Sequence, residues 1–344
     1  MEEWKEYTLG EIANIQTGPF GSQLHNKDYV EDGTPIVTVE HLGSKKFTTQ
    51  NLPCVTSEDR ERLKKYSMEE GDVIFSRVGS VDRCSYVDSS EEGWLFSGRC
   101  LRVRPSNRIF PLFLYYYLCQ PTIKRHIRNI AVGATMPSIN TQLLSEVPIK
   151  IPALQIQERI ALILSSLDDK IELNRKINSN LEEQAKALFK SWFIDFEPFK
   201  DGNFVDSELG LIPEALPLVH IEDIPHIIEA GKRPKGGAVE NGLPSIGAEN
   251  IKGLGNYDYS KTKYIPVDFA KSLVKGKING YELLIYKDGG KPGYFIPNFS
   301  IFGEGFPYEE MFINEHVFKL NLTDDGYNAF AYFFMQTKYI GWFY

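Results

Sequence analysis

Several features that would assign a chain to a particular class of protein are missing from this sequence of 344 residues. No apolar run reaches the roughly 18 residues that a membrane-spanning helix requires, and the opening MEEWK does not resemble a signal peptide. The four cysteines form no CxxC pair, which argues against a zinc site and favours reduced, buried thiols. These absences predict a cytoplasmic protein without a membrane segment.

The short motifs of common catalytic sites are missing as well. The chain has no NPPY-like or DPPF-like tetrapeptide for a flipped adenine, no G-x-x-x-x-G-K-[ST] loop for ATP, and no H-E-x-x-H or paired Cys/His metal spacing. The six histidines are scattered, and we interpret His316 as a strand residue and the glycine-rich run 287–293 as a turn. The sequence predicts a protein that binds rather than catalyses, with an enzyme of unrecognised site as the alternative.

The chain as a whole carries an excess of negative charge, but this charge is unevenly distributed along the sequence. The formal net charge of −8 argues against a nucleic-acid partner, yet the segment from Gly93 to Ser145 contains no Asp or Glu. Its basic residues include Arg99, Arg102, Arg104, Arg108, Lys124, Arg125 and Arg128. Because a nucleic acid responds to the local potential of one face, this segment predicts a face that binds it. A basic surface without a ligand is the alternative.

A run without proline or glycine, from Ala153 to Phe196, predicts one long helix. Its apolar residues recur in alternating steps of four and three, the heptad spacing with which one helix packs along another. The predicted seam toward a partner helix consists of Ile160, Leu164, Leu167, Ile171, Asn174, Asn178, Leu181 and Leu188. Since roughly 40 helical residues span about 60 Å, the helix must separate two bodies or lie against a partner. A lone long helix is the alternative to a coiled coil.

The two halves that flank this helix repeat the same segments in the same order. The matching pairs are LGEIANIQTG and VHIEDIPHIIEAG, GTPIVTVEHL and GLPSIGAENI, GDVIFSRVGS and GYELLIYKDGG, FSGRCLRVRP and INEHVFKLNL, and PLFLYYYLCQ and NAFAYFFMQT. Arg77 matches Lys287 by the same offset that relates Gly79 to Gly289. Ordered repetition with loops of different length indicates a duplicated, mostly β domain. We interpret the aromatic helices as core packing, with base stacking as the alternative.

Three segments resemble the specificity subunit of type I restriction–modification systems. They are GDVIFSRVGSVDR at 71–83, the glycine-rich turn and helix start at 133–176, and ALFKSWFIDFEPF at 187–199. The resemblance implies an α+β fold with two duplicated β-rich target recognition domains separated by a long coiled-coil-type helix. The expected boundaries are 1–152 and 199–344 for the recognition domains and 153–198 for the central spacer helix.

The resemblance also implies a function in which this chain catalyses no reaction. Each domain would read one half of a split site in double-stranded DNA, and the helix would set the spacing and dock methyltransferase subunits. A restriction or translocase subunit would join the complex. S-adenosylmethionine, ATP and Mg²⁺ would belong to those partner subunits. The alternatives are a specificity subunit of another restriction architecture, or a protein-binding scaffold that does not touch DNA.

Candidate DNA contacts are the basic and small polar residues near predicted turns. In the first domain they are Ser22, Gln23, Ser76, Arg77, Gly79, Ser80, Arg83, Arg99, Arg102 and Arg104. In the second domain they are Lys232, Arg233, Lys235, Lys287 and Lys291. Arginine pairs bidentately with guanine, and residues two apart on a strand, such as Arg102 and Arg104, share one face. The alternative is that Arg77 braces its turn through carbonyl groups and that the others lie in solvent.

The sequence departs from the family at its end. The family normally has a second long helix after the second recognition domain, whereas this sequence stops at Tyr344. We therefore expect another chain, either a second copy or a different specificity fragment, to cover the seam. A shortened version of a longer protein is the alternative.

Overall fold

The computed structural model describes residues 4–19, 21, 23–43, 45–288, 290–291, 294–295, 297–322 and 327–337. The chain divides into two compact units, unit 1 (Met1–Asn174) and unit 2 (Arg175–Tyr344). Over the part of the chain that is described, no helix is long and apolar enough to cross a membrane. The expected boundaries of the recognition domains stay a prediction.

Unit 1 is a β-rich body with helices against it. Its described strands are β1 (Lys5–Thr8), β2 (Ala13–Thr17), β3 (Tyr29–Val30), β4 (Thr34–Val37), β5 (Cys54–Val55), β6 (Val73–Ser76), β7 (Cys84–Tyr86), β8 (Leu95–Phe96), β9 (Cys100–Pro105) and β10 (Pro148–Ile151). Its described helices are α1 (Leu9–Ile12), α2 (Ser57–Arg62), α3 (Pro111–Leu118), α4 (Pro121–Ile130), α5 (Thr141–Ser145) and the first part of α6 (Leu154–Phe193).

Eight strands of unit 1 form an antiparallel sheet of order β2-β9-β6-β7 and a second sheet of order β3-β5-β4-β8, in which β4 and β8 are parallel, while β1 pairs with β10. Successive residues of β6 enter different cores, because side chains alternate across a strand. Val73 and Phe75 pack with α1 and α3, whereas Ile74 packs with the second sheet. The apolar run at β6 is therefore a central strand that is buried on both faces.

Unit 2 repeats this plan. Its described strands are β11 (Phe204–Ser207), β12 (Gly210–Pro213), β13 (His226–Ala230), β14 (Leu243–Ile246), β15 (Gly253–Leu254), β16 (Lys263–Ile265), β17 (Leu283–Tyr286), β18 (Gly290–Lys291), β19 (Tyr294–Phe295), β20 (Asn298–Ile301), β21 (Phe312–Ile313) and β22 (Val317–Leu322). Its described helices besides the end of α6 are α7 (Val267–Ser272) and α8 (Tyr327–Phe334).

Strand order and hydrogen bonds confirm the predicted duplication. The order β13-β22-β17-β20 reproduces β2-β9-β6-β7, and the order β16-β14-β21, with β14 and β21 parallel, reproduces β5-β4-β8. The Ser97 amide donates to the Val37 carbonyl at 2.8 Å, and the matching Asn314 amide donates to the Ile246 carbonyl at 2.9 Å. The two halves are thus copies of one fold, and the predicted α+β class is confirmed.

One glycine in each unit permits the same close approach of two segments. A Cβ on Gly18 would lie 2.2 Å from the Ser97 carbonyl oxygen, and a Cβ on Gly231 would lie 2.0 Å from the Ile313 carbonyl oxygen. Both distances are far below a normal contact, so only glycine fits where the chain leaves β2 or β13.

The predicted long helix is confirmed as α6, which begins at Leu154 and ends at Phe193. In unit 1, Gln157 accepts a hydrogen bond from the Phe110 amide at 2.9 Å, and Asp168 accepts one from the Tyr116 hydroxyl at 2.8 Å. In unit 2, the ring of Phe189 packs at a tilt against that of Phe330 of α8, with ring centres 5.3 Å apart. The aromatic helices α3 and α8 therefore serve packing within their own units, as the sequence predicted.

The four cysteines are free, as expected for thiols without a structural pairing motif. Cys54, Cys84 and Cys100 are buried, and Cys119 is half-buried.

Candidate nucleic-acid interface

A cleft of about 590 Å³ opens in unit 1 beside the turn that precedes β9. It is lined by residues 38–40 after β4, by residues 97–99 before β9, and by Pro19, Gly21, Leu24 and Tyr29 from the segment after β2. These segments meet because β4 and β8 pair in parallel, so both strands end at the same edge of the sheet.

The two turns that line this cleft are fixed by hydrogen bonds. The Thr38 amide donates to Nδ1 of the buried His41 at 3.0 Å, and the His41 amide donates to the Thr38 carbonyl at 3.1 Å. The Arg77 amide donates to the Arg99 carbonyl at 2.8 Å. The cleft therefore presents its side chains from a rigid frame, which favours recognition.

Arg99 and Glu40 carry the opposite charges of this cleft, and both side chains are exposed. Within the described part of the chain, the Arg99 guanidinium has no hydrogen-bond or ion-pair partner. Glu40 accepts one hydrogen bond, from the Thr38 hydroxyl at 3.2 Å. Sequence reasoning selected Arg99 but not Glu40, although the repeat places Glu249 at the matching position of unit 2.

The predicted Arg77 turn is partly internal. Ser76 is 1% exposed and donates from its hydroxyl to the Val78 carbonyl at 2.8 Å. Arg77 donates from Nη1 to the Gly98 carbonyl at 3.2 Å, and Arg83 donates to the Leu42 carbonyl. Gly79, at φ +74°, and Ser80 are exposed. Of this group, Gly79 and Ser80 face outward, while the two arginines brace neighbouring turns through carbonyls.

Arg102 and Arg104 lie on one face of β9, as predicted, but that face does not form an exposed basic surface. Arg102 is 6% exposed, donates to the Ser67 carbonyl at 2.6 Å and lies over the Phe96 ring at 5.7 Å. Burial is the main reason that its pKa is lowered. Arg104 grips both oxygens of the buried Asp72, each at 2.8 Å, and this pairing raises the pKa of Arg104.

Unit 2 repeats this buried cation with a different residue type. Lys319, at the position of Arg102, is 6% exposed and lies 3.1 Å from Glu229 and 3.6 Å from Glu282. Glu282 itself is 3% exposed and stands at the position of Asp72. In unit 1, Arg102 likewise lies 3.9 Å from the buried Asp72. A buried cation beside a buried carboxylate therefore recurs in both copies, which indicates a structural role.

The remaining first-domain candidate that can be described is Gln23. Its side-chain oxygen accepts a hydrogen bond from the Tyr66 hydroxyl at 2.6 Å, and its carbonyl accepts one from Arg62 at 2.6 Å. Ser22 lies outside the described residues.

The basic loop of unit 2 presents two lysines to solvent. Lys232 and Lys235 are exposed, and neither has a partner within the described chain. Arg233 lies 3.7 Å from Glu315, and Lys287 lies over the Phe318 ring at 4.8 Å. The side chain of Lys291 lies outside the described residues.

An apolar stripe runs along α6. Leu164, Leu167, Ile171, Leu181 and Leu188 are each between 36% and 56% exposed, and Ile160 is half-buried. The asparagines of the predicted seam, Asn174 and Asn178, are also exposed. A stripe of this length is large for a surface that meets only water.

Over the described residues, no group of three or more His, Cys, Asp or Glu side chains could hold a metal ion. The candidate site that unit 1 offers is the cleft lined by Arg99 and Glu40.

Comparison with solved structures shows a shared fold. The S subunit of a type I restriction-modification system from M. genitalium superimposes with a TM-score of 0.53 at 16% identity, over 96% of this chain and 77% of that one. This identity is too low to carry more than the fold.

Comparison with curated sequences gives closer relatives. The HindI specificity subunit of Haemophilus influenzae is 31% identical over 205 residues, which are 58% of this chain and 43% of that protein. The MjaIX specificity subunit of Methanocaldococcus jannaschii is 37% identical over 238 residues, which are 68% of this chain and 54% of that protein. The chain thus spans about half the length of these relatives.

A family profile covers the region of the cleft and of the start of α6. The profile described as "Type I restriction modification DNA specificity domain" matches residues 1–183, more than half of the 344 residues. With the repeated fold, this match shows that the chain belongs to the type I restriction–modification DNA specificity family.

Proposed function

We propose that this chain reads DNA sequence for a type I restriction–modification assembly. Unit 1 and unit 2 each recognise one half of a bipartite site in double-stranded DNA, and α6 sets the spacing between the half-sites. The observation that carries the proposal is the duplicated fold with different side chains on equivalent turns, Arg99 in one copy and His316 in the other. A repeated frame with varied turn residues suits two readers of two different sequences.

The proposed DNA contacts are the candidates whose side chains or backbone face outward. They are Arg99, Gly79 and Ser80 in unit 1 and Lys232 and Lys235 in unit 2. Arg233 and Lys287 would contact DNA only by giving up weak contacts within unit 2, to Glu315 and to the Phe318 ring respectively. Ser76, Arg77, Arg83, Arg102, Arg104 and Gln23 support the frame instead. Exposed lysines would supply affinity through phosphates, and the turn residues would supply base contacts.

The chemistry is assigned to partner subunits. A methyltransferase subunit docks on the α6 region, a restriction or translocase subunit joins the complex, and these partners hold S-adenosylmethionine, ATP and Mg²⁺. In this proposal the chain itself is a non-catalytic adaptor that works in the cytoplasm, where its DNA and partners are.

The apolar stripe of α6 is proposed to bind another helix of the assembly. An antiparallel helix from a second specificity chain fits the heptad spacing of Leu167, Ile171 and Leu181. The asparagines Asn174 and Asn178 would fix the register of that pair, since a polar seam residue selects one alignment.

The experiment that tests the function is co-expression of the chain with its methyltransferase subunit, followed by mapping of every methylated adenine in the host genome. A two-part motif with a fixed gap is expected. A contiguous or palindromic motif would mean that one unit reads alone or that a dimer repeats it. Methylation without any sequence preference would contradict the proposal.

A further inference from the structure

We propose that the cleft of unit 1 reads one G·C base pair, with Arg99 on the guanine and Glu40 on the cytosine. The inference rests on the proposed DNA-reading function and adds the base identity. Both side chains line the same cleft, yet no ion pair joins them in the described part of the chain. Among the described residues, the Arg99 guanidinium has no partner and Glu40 accepts one hydrogen bond, and both side chains line one recess on the surface of the unit.

Glu40 gives the stronger evidence that the cleft contacts a base and not a phosphate. A carboxylate repels the phosphate backbone, so an acidic side chain in a DNA-facing cleft is unfavourable unless it accepts a hydrogen bond from a base. In the major groove, the donors are the amino groups of cytosine and adenine. A contact to a base edge thus suits Glu40, whereas a contact to phosphate does not.

Arg99 favours cytosine over adenine as the base that Glu40 contacts. Its guanidinium carries five donors and matches the O6 and N7 acceptors of guanine. A G·C pair presents those two acceptors beside the N4 donor of cytosine, so it complements both charges of the cleft. An A·T pair would leave Arg99 with a single acceptor on adenine and place the thymine methyl group against polar side chains.

Backbone hydrogen bonds around the cleft hold the turns that carry Arg99 and Glu40 in fixed positions. The Arg99 carbonyl accepts from Arg77, and the amide of the next residue, Cys100, donates to the Ser97 carbonyl at 2.9 Å. Glu40 lies in a turn whose neighbour His41 is fully buried. Backbone positions are therefore set before DNA binds, which keeps the entropy cost of recognition small.

Unit 2 lacks the same free pair, which limits the inference to unit 1. His316, at the position of Arg99, lies in the turn before β22 and not in a strand as expected, and it contacts both Asp288 and Glu315. Glu249, at the position of Glu40, lies 4.0 Å from Lys263. The matching side chains of unit 2 contact other charged side chains of that unit, so the G·C reading is proposed for unit 1 alone.

The test compares methylated motifs from wild type, Arg99→Ala and Glu40→Gln, each co-expressed with the methyltransferase subunit. In the unit 1 half of the motif, Arg99→Ala should reduce discrimination at one G·C pair by roughly 10- to 100-fold. Glu40→Gln, which is nearly isosteric, should relax the same pair and leave the other half of the motif unchanged. Both side chains are exposed, so neither change should unfold the unit.

Arg60→Ala serves as the matched control, because Arg60 is an exposed arginine of unit 1 whose side chain has no partner in the described chain and lies outside both the cleft and the acid-free segment. It should leave the motif intact. If the wild type gives a two-part motif and neither cleft variant changes its base preferences, the inference is wrong while the function stands. If the wild type gives no sequence preference, the function itself fails and the inference with it.

Discussion

Arg99 and Arg104 stand close together in the same acid-free segment, yet they have different surroundings. Arg99 is exposed without a partner in the described chain, whereas Arg104 contacts Asp72 and Glu69. Asp72 is 1% exposed, so the loss of its arginine would leave a buried charge poorly compensated. At the scale of the residue, the role of each arginine follows from which carboxylate the fold brings to it.

Arg104→Ala should lower the free energy of unfolding of unit 1 by roughly 2–4 kcal/mol, less than for a fully enclosed pair because Arg104 is partly exposed. Arg104→Lys should recover only part of this loss, since lysine cannot hold both oxygens of Asp72. Arg99→Ala should change stability by no more than about 0.5 kcal/mol. Urea unfolding of the purified chain measures all three. Equal losses for Arg99→Ala and Arg104→Ala would contradict the assignment.

At the scale of the element, α6 combines two kinds of surface. Its first and last turns pack within units 1 and 2 through Gln157, Ala161 and Phe189, which are buried. Between them lie Leu167 and Leu181, which are 54% and 56% exposed. Packing against the units therefore stabilises the ends of the helix, and the apolar stripe remains available to another helix.

The double variant Leu167→Glu/Leu181→Glu should abolish association through α6 while the chain stays folded, because both side chains are already exposed. Light scattering over micromolar concentrations measures the association. Leu162→Glu/Leu173→Glu is the matched control, since Leu162 and Leu173 are 55% and 57% exposed and lie outside the heptad seam. A wild-type chain that stays monomeric throughout would exclude self-association, and equal effects of both double variants would argue against the seam.

At the scale of the whole molecule, the charge balance sets a condition on DNA binding. The net charge is −8, so the proposed attraction to DNA would come from local groups such as the proposed contacts Arg99, Lys232 and Lys235. Contacts between such cations and phosphates release counterions, and binding then weakens with salt. A scaffold that binds proteins through apolar contacts has no such dependence.

The affinity of the assembled complex for DNA that carries its methylation motif should fall by roughly 10²–10³-fold between 50 and 200 mM salt, as expected for about five phosphate contacts. Fluorescence anisotropy with a labelled duplex measures this fall. The variant Lys232→Gln/Lys235→Gln should make the logarithmic slope shallower by about two without changing the motif. Salt-independent binding would favour the scaffold.

The sequence by itself determined the features that depend on the spacing and order of residues along the chain. Heptad spacing without proline or glycine predicted α6, and the ordered repeat predicted two copies of one β-rich fold, because periodicity and strand order are written along the chain. The aromatic runs at α3 and α8 were likewise read correctly as packing.

Only the tertiary structure determined which charged side chains are paired within the protein and which are exposed to a ligand. The segment from Gly93 to Ser145 has no acid of its own, yet Asp72 and Glu69 reach Arg104, and Asp82 reaches Arg128. The fold also placed Glu40 and Arg99 in one cleft, although they are distant in sequence. Electrostatic attraction acts through space, so the partners of a charged side chain are set by strand pairing and not by neighbouring letters.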